Sequence, residues 1–170
     1  MIIDGLLVFD PNPTSVAIAA GTQASTNTIS LRAAGQIPVL ANLQGARDMG
    51  IGDNPALKVS VIVVVAFTSG GAGTLSVAFQ GAPDNGSGAP GSFTTYYTTP
   101  VYALATVAVI GASLMDMDVP RPPAGVGLPA YYRLLYTVAT ATMTAGSVAA
   151  QLVLDRQDAP QYPAGLVISN

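Results

Sequence analysis

Carboxylates are the first place to look for chemistry in this chain, because most other reactive side chains are missing. Cysteine, histidine, tryptophan and glutamate do not occur in the 170 residues, and nine aspartates supply all the acidic side chains. That excludes disulfides, zinc sites built on Cys or His, the common proton shuttle and nucleophile triads that depend on histidine. Aspartates alone could still gather the oxygens that calcium needs, or cleave a glycoside as a pair. Asp84-Asn85-Gly86-Ser87-Gly88 looks like half of a calcium loop, but no bidentate glutamate closes it. Asp48 with Asp53, and Asp116 with Asp118, are the other pairs. In a strand Asp116 and Asp118 would share a face, where bare like charges repel. Turn chemistry explains the first two sets and a solvated edge the third, so no metal is expected.

Gly125-Val126-Gly127-Leu128-Pro129-Ala130 has the lettering of a dinucleotide fingerprint in the wrong context. It follows a proline run and leads into the strand-like Tyr131-Tyr132-Arg133-Leu134, where a helix would be required. No cofactor is expected there. Nothing in the spacing selects one aspartate pair over another, so no catalytic residue is assigned and the chain is not read as an enzyme.

Tyrosine is the more informative polar residue. Of seven tyrosines, four form the doublets Tyr96-Tyr97 and Tyr131-Tyr132. Neighbours in a strand face opposite ways, so one ring of each doublet should pack inward and the other meet solvent or a partner. Tyrosine and arginine are enriched at interface hot spots, which makes these four rings and Arg133 interface candidates. The same rings could instead cap the core. A carbohydrate-binding surface is the alternative use, with Tyr96, Tyr97 or Tyr102 as stacking platforms, although tryptophan is absent.

The elements that must position these residues read as strands. Glutamate is absent, lysine occurs once, and 18 Gly and 13 Pro leave few windows of helical length. Short apolar or alternating runs recur between turn residues: Met1–Phe9, Thr26–Leu31, Leu57–Phe67, Thr74–Gln80, Phe93–Thr98, Tyr102–Ile110, Ser113–Val119, Tyr131–Val138 and Gly146–Leu154. Val61 to Val65 is apolar on both faces, so both should be covered. Thr68 to Gly73 makes the loop of a hairpin; Gly81–Gly91 is an exposed loop, and Gly35–Ala41 another excursion from the core. The expected architecture is an all-β antiparallel sandwich of about eight strands with Gly/Pro-rich loops. It forms one domain over 1–170, with an apolar N-terminal strand or arm (1–9) and an extended C-terminal tail (158–170). Periodicity does not separate a jelly roll from an immunoglobulin-like sandwich.

Charge narrows the partners. The six basic residues are scattered and outnumbered, for a net charge of −3, so no basic stripe suits nucleic acid and no basic amphipathic stretch suits a membrane. The start has no positive region typical of a secretory signal. The longest apolar stretch, Val101 to Met115, falls short of the roughly 20 residues of a spanning helix. Only 9% of the chain is charged, against about 25–35% of the surface of a lone soluble domain, so its faces are expected to meet another protein. The N-terminal run, with Ile2, Ile3 and Leu6, either joins this chain's own sheet or crosses to a neighbour. With the apolar tail around Tyr162 it suggests a closed homo-oligomer, a dimer or trimer.

Several segments together resemble the Bbp16-like capsid cement (decoration) proteins of tailed bacteriophages. They are Met1-Ile2-Ile3-Asp4 through Phe9, Ala24 to Ile29, Ala46-Arg47-Asp48-Met49-Gly50-Ile51-Gly52-Asp53-Asn54-Pro55, Tyr132 to Val138, Ala145 to Val148 leading to Asp155, and Tyr162-Pro163. Gly35–Leu43 and Gly81–Gly91 read as insertions. The resemblance implies a jelly-roll-type sandwich made in the host cytoplasm and bound to the outer surface of the virion capsid. Its partner would be the major capsid protein lattice, and no catalytic residue carries over. Arg47 and Asp48 could then form an intermolecular ion pair or pin their own loop, and the loop is favoured.

Overall fold

Runs rich in Val, Thr and Tyr, bounded by Gly, Pro, Asn and Asp, favour strands over helices. The computed structural model describes residues 7–10, 21–31, 57–126 and 129–154. Among them the strands are β1 (Val8–Asp10), β2 (Gly21–Ala24), β3 (Ile29–Ser30), β4 (Leu57–Ser69), β5 (Thr74–Ala82), β6 (Thr94–Thr98), β7 (Tyr102–Ala103), β8 (Ser113–Asp118), β9 (Tyr131–Ala139) and β10 (Met143–Leu154). One short helix, α1 (Leu104–Val107), lies between β7 and β8.

The strands form two antiparallel sheets. The first has the order β1-β10-β4-β8; the second has the order β2-β9-β5-β6, with β3 also on β9 and β7 also on β5. Pairing is nested from the outside of the sequence inward: β1 with β10, β2 with β9, β4 with β8, β5 with β6. This is an all-β sandwich. Period-2 alternation sends Leu57, Val59, Val61, Val63 and Phe67 of β4 into the same cluster as Leu75, Val77 and Phe79 of β5 and Tyr132, Leu134, Tyr136 and Val138 of β9. Each fully buried side chain of this kind contributes about 1.5–3 kcal/mol.

Several expectations are refined. Val61 and Val63 are buried, but Ile62 and Val64 are only half-buried and Val65 is exposed, so the two faces of the Val-rich run are not equally covered. The strand expected over Tyr102–Ile110 stops at Ala103. The chain must there cross from the second sheet to the first, and Leu104 and Ala105, both good helix formers, begin a single helical turn that buries Val107. Gly111, at φ +85°, completes the reversal. Its N–H donates to Val63 O at 2.8 Å, and Val63 N–H donates to Ala112 O at 2.9 Å. β2 has no hydrophobic alternation and is not among the expected strands; it exists because its backbone pairs with β9 over Leu135–Val138. Of the two fates open to the N-terminal run, Val8–Asp10 takes the first, pairing with β10 of its own chain. Residues 1–6, Gly35–Ala41 and the tail 158–170 lie outside the described residues.

Candidate functional site

The outer face of the second sheet gathers the polar side chains that the alternation turns away from the core. β9 and β5 pair so that Arg133 lies opposite Gln80, Leu135 opposite Ala78 and Thr137 opposite Ser76; β6 adds Thr95 beside Gln80. Arg133 Nε donates to Gln80 Oε1 at 2.8 Å, and Gln80 Nε2 donates to Thr95 Oγ1 at 2.9 Å. The guanidinium carbon sits 3.7 Å from the centroid of the Phe93 ring, a cation–π contact. Burial lowers the pKa of Arg133, and a guanidinium so lowered remains charged. Nothing in local sequence joins Arg133 to Gln80, which lies 53 positions away.

The tyrosine doublets divide differently. Tyr96 packs inward, its ring edge-on to Phe79 and Tyr132, while Tyr97 is 38% exposed, as expected of neighbours in a strand. Tyr131 and Tyr132 are both buried, which corrects the expected division and removes both as interface candidates on this face. Tyr132 stacks on Phe79 at 5.0 Å inside the core, and burial pushes its phenol up to about 12 with help from neighbouring Tyr96. Tyr131 points the other way, but its hydroxyl donates to Asp84 Oδ2 at 3.3 Å, so the loop that follows β5 reaches back to cover it; Gly81 and Ala82, expected in that loop, are the last residues of β5. Tyr102 donates to Leu114 O at 2.7 Å. Of the three candidate stacking platforms Tyr97 is exposed, whereas Tyr96 and Tyr102 are half-buried.

One edge of the sandwich carries exposed apolar side chains. Val101 precedes β7, and Val109 and Ile110 end the α1 crossover; their exposures are 68%, 56% and 68%. Tyr97 lies on the neighbouring edge strand β6. Asp84 and Asn85 organise their own turn. Asp84 Oδ1 accepts from the N–H groups of Gly86 and Gly88, and Asn85 Oδ1 accepts from Ser87 and Ala89. Asp116 and Asp118 lie on edge strand β8, in register with Ser60 and Lys58. Gly125, at φ +84°, belongs to the loop that leads into β9. Ile2, Ile3, Leu6, Arg47, Asp48 and Tyr162 lie outside the described residues, as does Asp53.

A buried contact joins the sheets and has no signature in the sequence. Asp10 of β1 accepts from Tyr136 OH of β9 at 2.5 Å and from Thr26 N–H at 2.8 Å. Asp10 is 5% exposed and Tyr136 is 2% exposed. Burial first, and then the Asp10 carboxylate, hold the Tyr136 phenol well above its usual pKa.

Compared with models of known protein families, the chain matches the one described as Bbp16 over residues 14–152. Most of the segments that carried the resemblance fall inside that span, whereas Met1–Phe9 and Tyr162-Pro163 lie outside it. No curated protein matches the chain.

Proposed function

The chain belongs to the Bbp16 family, and from that premise we propose that it is a structural virion protein of a tailed phage. In this reading it binds the outside of the assembled head, as a dimer or trimer, and stabilises contacts between capsid subunits without catalysing a reaction. The family match over residues 14–152 is the observation that carries the reading. The nested strand pairing supports a jelly-roll description, because an eight-stranded jelly roll is one long hairpin rolled into two sheets, a form used by viral capsid and lectin domains. Exposed Val101, Val109 and Ile110 in a chain with 9% charged residues suit a protein that sits against protein.

The mechanism is linkage. A protein that binds the assembled lattice but not free capsid subunits shifts the equilibrium toward the lattice, by about 4 kcal/mol per site at a thousand times its Kd. An oligomer that touches two capsomers gains further, because its second contact forms at high effective concentration. The test is co-sedimentation of the purified protein with expanded heads assembled without it. Saturable binding to heads, with none to free capsid subunits, is expected. Failure to bind heads, or binding instead to glycans through Tyr97, would overturn the reading.

A further inference from the structure

We propose that Arg133 is a preorganised anchor for a carboxylate on the capsid subunit beneath the second sheet; the choice of partner rests on the function proposed above. The strands of that sheet contain no other Asp, Glu, Lys or Arg, so Arg133 is the single formal charge they carry. It is not a loosely solvated arginine. Gln80 takes the Nε–H, Phe93 lies against the guanidinium, and Thr95 fixes which end of the Gln80 amide faces it. Guanidinium has five donors in a rigid fork. With Nε used, the Nη amino groups have no acceptor among the described residues. A half-buried cation with its rotamer fixed and its fork unspent matches the planar, two-oxygen geometry of a carboxylate. Because the ordering is already present before binding, the partner does not meet its entropic cost.

The strand residues around it are uncharged, and Ala78 and Gln80 beside it are buried. Ser76, Ala78, Leu135 and Thr137 share the outward side, and none is both long and charged. The strands of this face offer a second copy no carboxylate, and Asp84, which lies over Tyr131 beside them, is engaged by the Gly86 and Gly88 N–H groups and the Tyr131 hydroxyl, which sets a second copy of the face aside as occupant. The remaining source of negative charge is a different surface, and in the proposed function that surface belongs to the shell.

The experiment compares wild type, Arg133→Met and Arg133→Lys for binding to heads assembled without the protein, with melting temperature and sedimentation of each protein alone as controls. Arg133→Met is expected to bind heads about tenfold or more weakly, as when one partner of a buried charge pair is truncated, with oligomeric size unchanged. Arg133→Lys keeps the stem and charge but loses the fork, and is expected to bind more weakly than wild type. It carries the test if the Met variant melts early. Wild-type affinity in both variants overturns the anchor while leaving the proposed function standing. Loss of self-association with head binding intact overturns it in favour of another copy of the chain. Failure of wild type to bind heads removes the function and the anchor together.

Discussion

Asp10 and Tyr136 illustrate how a polar pair can hold a greasy sandwich together. The carboxylate is taken out of water and compensated by two donors, the Tyr136 hydroxyl and the Thr26 amide. Replacing Tyr136 with Phe leaves Asp10 one donor short, and is expected to cost about 1–3 kcal/mol by denaturant titration. The buried phenols also set a pH limit. Tyr132 is raised from 10.0 to about 12, and Tyr136 is raised in the same direction. Below about pH 10 both are protonated in the folded and the unfolded chain, so their contribution is fully present. As pH rises from about 10 toward 12 the unfolded chain ionises first, and stability is lost. The melting temperature should therefore fall through that window, and less steeply for Tyr136→Phe; a flat profile to about pH 12 would contradict it.

At the scale of elements, glycine marks where the ladder is bent to admit a ring. β10 shifts register against β4 on either side of Ala145, and Gly146 there adopts φ +132°. A Cβ on Gly146 would lie 2.3 Å from Phe67 Cδ1 and 2.8 Å from its Cα, so the Phe67 ring lies directly on the Gly146 backbone. Gly146→Ala combines this clash with an unfavourable φ, and is expected to cost at least about 1–3 kcal/mol, read as a lower unfolding midpoint. On the other sheet, Gly81 receives the Tyr96 ring, with Tyr96 OH 2.5 Å from where a Cβ would be. The sequence shows both glycines but not their rings, because close approach depends on which strand lies alongside. The expected long strand over Tyr102–Ile110 fails for a related reason: its Val, Tyr and Ile content suits a strand, but the crossover between sheets requires the chain to turn.

For the whole molecule, the first and last described strands close the sandwich on each other. β1 is only three residues long, yet Phe9 is fully buried and stands edge-on to Phe79 of the opposite sheet at 6.2 Å. Phe9→Ala is expected to lower stability by about 3–5 kcal/mol, a typical loss for a buried aromatic. Under the proposed function, heads offered the variant would then be decorated less fully than heads offered wild type at the same temperature. Wild-type melting for Phe9→Ala would show that β1 is dispensable to the core.

Composition and alternation alone determined that this chain makes strands, has no cysteine or histidine chemistry, and carries few charges on any face it presents, since these follow from residue type and period. The main runs from Leu57 to Leu154 fall in strands close to those read from the sequence, apart from the α1 crossover, but β4 and β5, read as a hairpin, lie in different sheets and do not pair. Tertiary structure decided which side chains became surface. Tyr131 and Tyr132 look like a half-exposed doublet until a loop and a core close over them, and Arg133, their neighbour, is held in place only because Gln80 and Phe93 are brought beside it. Those contacts span tens of residues, and a one-dimensional pattern records faces and periods but not which distant strand will lie next door.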